Sequence, residues 1–238
     1  MSKIEIEAPS VSVIIPAYNE EAFLETTVSS VLNTNFPCEV IVVNDGSTDR
    51  TQEIIERFGN RIKAITHAKN KGKGAAMASG IREATGEIVV FCDAHLLGLK
   101  HHHLLSLVLP LVYGSAKAVL GIGIPEELSA SLISFVPFFI LTGQRAYYRK
   151  DIEPLTTEME KLGYGVETYL FAKFPRDKTA LVLLPGLVHL TKQAMLSKKA
   201  IVTGYLRETR EVLGTITKLT KRKIADSITN NKVFQERK

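Results

Sequence analysis

Between residues 11 and 124 the chain alternates unbroken apolar runs with helix-patterned segments: VSVII, EEAFLETTVSSVL, EVIVV, TQEIIERF, IKAIT, GAAMASGIREA, EIVVF, HHLLSLVLPLV and AVLGI. No other feature of the sequence constrains the fold as tightly. A continuous Val/Ile run reads as a strand buried on both faces, and a helix of about ten residues between two such runs is what a parallel crossover needs. The expected class is α/β, a doubly wound and mostly parallel sheet. On the first helix Leu24, Val28, Val31 and Leu32 form one apolar stripe, which defines the face that packs on the sheet.

Beyond Gly123 the alternation loosens into GQRAYYRK, a helix around 166–174, a strand TALVLL and a long helical tail. With no internal repeat and no flexible linker, residues 1–190 read as one unit and 191–238 as a basic helical extension. A balance of 45% hydrophobic and 23% charged residues in 238 excludes a disordered chain, a coiled coil and a collagen-like rod. Cys38 and Cys92 lie in apolar runs without CxxC spacing and read as reduced core thiols rather than a disulfide or zinc site.

The N-terminus MSKIEIEAPS lacks an apolar signal core. The longest apolar run, Leu132 to Leu141, contains Pro137 and is about half of the roughly 20 residues a spanning helix needs. The expected location is cytoplasmic, with peripheral contact to a membrane face left open. From Thr191 onward, 12 Lys/Arg face 4 Asp/Glu, so the +5 of the whole chain leaves −3 for residues 1–190. Val202, Leu206, Val212, Leu213, Ile216 and Leu219 fall largely on one helical face of this tail. Such a helix lies on an anionic membrane surface, or docks on its own domain or on a twin subunit as a homodimer. The tail carries neither interleaved stacking aromatics nor a nucleic-acid motif, so no nucleic-acid partner is expected.

Ligands of an open parallel sheet bind beyond the carboxyl ends of its strands. The loops there read PAYNEE, NDGSTD, HAKNKGKG and CDAHLLG. Asp45 accepts N–H groups, from a nucleobase edge or from its own Asx turn. Lys69, Lys71 and Lys73, spaced by Gly72 and Gly74 before a helix, make a phosphate-binding loop or a solvated one. The loop matches neither GxxxxGK[ST] nor GxGxxG, which argues against a P-loop enzyme or a dinucleotide dehydrogenase. Asp93 and His95 point the same way if the strand stays extended, and form either a divalent-cation site or a helix cap with a surface histidine. Neighbours on a helix diverge by about 100 degrees, so His101, His102 and His103 read as surface residues.

VSVIIPAYNEE, IVVNDGSTDRT and NKGKGAAMASGIREATGEIVVFCDAH together resemble the nucleotide-sugar half of family-2 glycosyltransferases of the GT-A fold, the group that contains dolichol-phosphate mannose synthases. The resemblance covers about residues 11–97 in register, and 98–190 would then be the acceptor half. It implies a nucleotide-sugar site at Pro16, Ala17, Tyr18, Glu20, Asp45, Lys73 and Asp93, with Asp93 as the first acid of an Asp-x-Asp metal motif. His95 stands where the second acid is usual; an imidazole moves the preference from Mg2+ toward Mn2+ and also raises the alternative of lost coordination. GYGVET, GQRA and PGLVH more loosely resemble later segments of such enzymes, including glucosyl-3-phosphoglycerate synthases. They imply Glu167 as catalytic base, Gln144 and Arg145 as acceptor contacts, and His189 as a third metal ligand. Surface carboxylate and surface histidine are the alternatives for Glu167 and His189. The implied reaction takes a hexose from a UDP- or GDP-sugar to a lipid phosphate or to a small acidic acceptor. The reading from another class is a nucleotide-sugar-binding protein without turnover.

Overall fold

Val13, Ile14 and Ile15 are all fully buried, and they alternate: Val13 and Ile15 join one core cluster while Ile14 joins the other. That division runs through the neighbouring strands, with Val42 and Val90 on the first side and Ile41, Val43, Val89 and Phe91 on the second. A sheet packed on both faces requires this, because period-two geometry sends successive apolar side chains to opposite layers. The computed structural model describes residues 8–124, 126, 142–189 and 214–215.

Four parallel strands alternate with helices: β1 (Val11–Ala17), α1 (Leu24–Asn33), β2 (Glu39–Asn44), α2 (Thr51–Arg57), β3 (Lys63–Thr66), α3 (Lys73–Glu83) and β4 (Ile88–Phe91). After a short β5 (Leu96–Leu97) come α4 (His101–Val112), β6 (Ala118–Ile124), β7 (Arg145–Tyr148), α5 (Arg149–Ile152), α6 (Thr156–Met159), α7 (Val166–Lys173), β8 (Thr179–Pro185) and β9 (Val188–His189). The main sheet has the order β3-β2-β1-β4-β7-β6-β8. Of its strands only β7 runs against the others, pairing antiparallel with both β4 and β6. The α/β, mostly parallel sheet expected from the sequence is therefore the observed one. Helices α1, α2 and α4 cover one face; α3, α6 and α7 cover the other.

Two local expectations are corrected. The IKAIT run is a strand but not a doubly buried one, since β3 is the sheet's edge and Lys63, Ala64 and Thr66 are exposed. His103 is not a surface residue: it is fully buried, its Nδ1 accepts the Lys100 N–H and its Nε2 lies 2.8 Å from the Pro185 carbonyl, tying the start of α4 to the end of β8. His101 and His102 are exposed as expected. No helix among the described residues is long and apolar enough to cross a membrane. The Leu132–Leu141 run and most of the basic tail lie outside the described residues.

Candidate functional site

At the carboxyl ends of β1, β2 and β4 lies a cavity of about 390 Å³. All seven residues expected at a nucleotide sugar line it (Pro16, Ala17, Tyr18, Glu20, Asp45, Lys73 and Asp93), together with His95. Asn70, Lys161 and Tyr164 line it as well and were not anticipated. Tyr164 belongs to the GYGVET segment, where only the carboxylate drew notice.

The rim is pre-organised by bonds between loops. Asn19, at φ 53, donates its N–H to Ser47 Oγ and accepts the Thr48 N–H at 2.8 Å. The Glu20 N–H donates to Thr51 Oγ1 at 2.8 Å and the Glu21 N–H to Asp49 Oδ2. Asp45, only 2% exposed, is held from three directions. Its Oδ1 accepts the Lys71 N–H at 2.9 Å and meets His67 Nδ1 at 2.6 Å, while Oδ2 accepts the Gly72 N–H at 2.7 Å. The neighbouring Gly46 sits at φ +68, and a Cβ there would overlap the Lys69 backbone. Asp45 thus anchors the lysine loop while one edge still faces the cavity; His67, backed by Ser79 at 2.9 Å, is a participant that sequence reasoning missed.

Deeper in, Lys73 Nζ lies 2.8 Å from Asp93 Oδ1 and 2.6 Å from Glu167 Oε1. Burial would push the Lys73 pKa down, but the two carboxylates more than offset this and hold it above the usual lysine value. Burial would likewise raise the Asp93 pKa; Lys73, His95 and His189 hold it well below the usual carboxylate range. Glu167 is buried and does not line the cavity, so its carboxylate meets Lys73 rather than open space.

Topology explains the remaining convergence. Because β7 runs antiparallel with Arg145 opposite Phe91, the residues just before it lie beside those just after β4. Gln144 therefore meets Asp93, donating from Nε2 to Oδ2 at 3.1 Å. Arg145 is fully buried and donates to the Thr142 and Glu167 carbonyls. Neither residue lines the cavity. Pairing of β5 with β9 sets His189 opposite Leu96, next to His95. The chain turns after Cys92 rather than staying extended, yet Asp93, His95 and His189 each bring a ligand atom within 4.8 Å of the others. His95 Nδ1 is buried and faces the Glu20 carboxylate, 3.5 Å from Oε1, without a well-formed hydrogen bond. One carboxylate and two imidazoles suit a divalent transition ion better than a hard one. Burial lowers the His95 pKa, but Glu20 and Asp93 raise it on balance, whereas for His189 burial wins and the pKa falls.

A doubly wound sheet that gathers an acid, a lysine and two imidazoles at the carboxyl ends of its strands has the architecture of a GT-A transferase. Residues 12–128 match the family described as Glycosyl transferase family 2, and the chain belongs to that family. Probable glycosyltransferase YdaM of Bacillus subtilis is 42% identical over 97 residues, which cover 37% of this chain and 23% of that protein. Dolichyl-phosphate beta-glucosyltransferase ALG5D of Trichomonas vaginalis is 41% identical over 97 residues, covering 35% of this chain and 29% of that one. The chain thus spans about a quarter of the length of these curated relatives. Glucosyl-3-phosphoglycerate synthase from Mycobacterium tuberculosis, solved in complex with Mn2+, uridine diphosphate and glucosyl-3-phosphoglycerate, superimposes with a TM-score of 0.65 at 24% identity over 88% of this chain and 79% of its own. The same enzyme has been solved in complex with Mg2+ and uridine diphosphate.

Proposed function

We propose that this chain transfers a hexose from a UDP- or GDP-sugar to an acceptor whose nucleophile is an anion, a polyprenyl phosphate or another membrane-linked phosphate. The observation that carries this reading is the Lys73–Asp93–Glu167 arrangement beneath the cavity. The anticipated base spends its charge on Lys73, and a phosphate acceptor needs no base because it arrives deprotonated. Asp45 and the Lys69–Lys73 loop receive the nucleotide. Asp93, His95 and His189 hold a divalent ion, Mn2+ in preference to Mg2+, which supplies charge neutralisation at the diphosphate leaving group. Lys73 adds a fixed positive charge beside it. The dolichyl-phosphate relative supports the lipid acceptor.

A second reading has a specific observation in its favour: the structural likeness to an enzyme crystallised with phosphoglyceric acid, at a TM-score of 0.65, supports a small acidic acceptor. One experiment separates the two. The full-length protein is incubated with a panel of UDP- and GDP-sugars and Mn2+ or Mg2+, with polyprenyl phosphate in anionic vesicles in one arm and phosphoglycerate in the other. Transfer to the lipid that weakens with salt supports chemistry at an anionic membrane surface, because exposed charges are screened over about 8 Å at physiological ionic strength. Transfer to the soluble acceptor alone replaces the first reading with the second. Nucleotide-sugar binding without turnover in either arm leaves the non-catalytic alternative.

A further inference from the structure

Gln144 is fully buried at the start of β7, and its amide spans two members of the acid–imidazole cluster. Its Nε2 lies 3.1 Å from Asp93 Oδ2, and its Oε1 lies 2.9 Å from His189 Nε2. The direction of this bridge follows from the chemistry of its ends. Asp93 is ion-paired with Lys73 at 2.8 Å, so it is ionised and only accepts. The amide nitrogen, not the oxygen, has to face it. The amide oxygen is then turned to His189, and an oxygen that only accepts requires a hydrogen on Nε2. A neutral imidazole with hydrogen on Nε2 keeps its lone pair on Nδ1, and Nδ1 is the nitrogen that faces Asp93 Oδ2, at 3.7 Å. The Thr142 hydroxyl lies 3.1 Å from Oε1, but its one hydrogen is directed to the closer Gly121 carbonyl at 2.6 Å, and its oxygen accepts the Gln144 backbone N–H at 3.3 Å.

We propose that Gln144 is a positioning residue that reads the charge on Asp93 and fixes the tautomer of His189, so that Nδ1 is the nitrogen His189 offers to a divalent ion. The inference rests on the metal reading given above and assigns Gln144 a role different from acceptor contact. The same bridge holds the two donors at a set separation, which an ion would otherwise have to impose by ordering both side chains on binding. Partners that orient metal-ligating groups from behind are worth about 10- to 100-fold in metal affinity.

The test uses full-length protein labelled with 15N-histidine and freed of metal, because nitrogen chemical shifts distinguish the protonated from the unprotonated ring nitrogen. The His189 signals are assigned by their loss in His189→Asn. The expected wild-type result is hydrogen on Nε2 and a bare Nδ1. Gln144→Met, close in volume and without either hydrogen bond, is expected to show mixed tautomers and to bind Mn2+ about 10- to 100-fold more weakly in the presence of UDP, read from the electron paramagnetic resonance of free Mn2+, with thermal unfolding as the control for folding. A wild-type His189 with hydrogen on Nδ1 overturns the proposal whether or not the variant folds. Equal Mn2+ affinity in wild type and Gln144→Met also overturns it, while the metal reading survives. Failure of wild type itself to bind Mn2+ overturns the metal reading and this inference with it.

Discussion

Lys73 and Glu167 form an ion pair at 2.6 Å in which only the lysine reaches the cavity. The glutamate comes from the first turn of α7, and its side chain is 5% exposed. A general base needs a path to the proton it removes; a buried counter-charge needs only its partner. If Glu167 anchors Lys73, Glu167→Gln leaves the shape of the pH–rate profile unchanged while donor affinity and turnover fall together. Loss of the acidic limb in the variant would instead restore Glu167 as base. Lys73→Met is the harsher change, since it strands two buried carboxylates, and a loss of roughly 3–5 kcal/mol is expected in urea unfolding.

Asp45→Asn distinguishes loop anchoring from base recognition. The carboxylate accepts the Lys71 and Gly72 amides on its two oxygens, and an asparagine sets an N–H against one of them. An unsatisfied buried donor costs about 1–3 kcal/mol. Calorimetry with UDP, GDP and CDP is expected to show a loss common to all three, because the Lys69–Lys73 loop loosens for any nucleotide. A loss confined to one base would assign Asp45 to direct base contact instead.

The Val/Ile runs made β1, β2 and β4 legible, and with them the loops that carry Tyr18, Asp45 and Asp93, because burial on both faces leaves few other ways to write a strand. What the sequence concealed came from pairings without a local signature. Two-residue β5 and β9 set His189 beside His95, and no periodicity can be read from two residues. Reversal of β7 carried Gln144 to Asp93, 51 positions away, and buried Arg145. His67 showed no motif at all: its partners lie 22 and 12 residues away, and only the packing of α3 on the folded sheet joins them. For Glu167 the residue was legible but its partner was not.

Gly143 packs against the Asp93 carboxylate so closely that a Cβ would overlap it. Gly143→Ala therefore has to displace Asp93 or the start of β7. Overpacking of this kind costs about 1–3 kcal/mol, and here the displaced group is the acid proposed to hold the metal. The expected outcome is a modest fall in melting temperature with a disproportionate loss of Mn2+ binding. A variant that melts earlier but binds Mn2+ like wild type would show that Asp93 keeps its place while the backbone yields.

His103 supplies a pH dependence outside the cavity. Burial holds its pKa below the ordinary histidine value, with Lys100 and His102 acting in the same direction and the Pro185 carbonyl opposing them. A neutral ring also fits the geometry, since Nδ1 accepts the Lys100 N–H. The unfolded chain then binds a proton that the folded chain refuses. The His103 contribution is complete above about pH 6.5 and is lost as pH falls toward the lowered folded value. His103→Gln keeps a donor for Pro185 without titrating. Between pH 7.5 and 5 its stability is expected to fall less than that of wild type in urea unfolding; parallel declines would remove His103 as the cause.

His95 separates this site from a two-carboxylate one, and its exchange for aspartate tests what the imidazole contributes. Oxygen ligands suit Mg2+, whereas imidazole shifts a site toward Mn2+ and its softer neighbours. In wild type Mn2+ is expected to support turnover better than Mg2+. His95→Asp replaces the ring with a hard donor and narrows that gap, chiefly by improving activity with Mg2+. It also removes a partner of Glu20, whose Oε1 lies 3.5 Å from His95 Nδ1, and brings a third carboxylate near Asp93 and Glu20. Without metal the variant is therefore expected to melt at a lower temperature than wild type, and Mn2+ or Mg2+ is expected to restore more of the difference than it adds to wild type. An unchanged ratio of Mn2+ to Mg2+ activity, together with equal stabilisation of both proteins by metal, would place His95 outside the coordination shell and leave Asp93 and His189 to hold the ion.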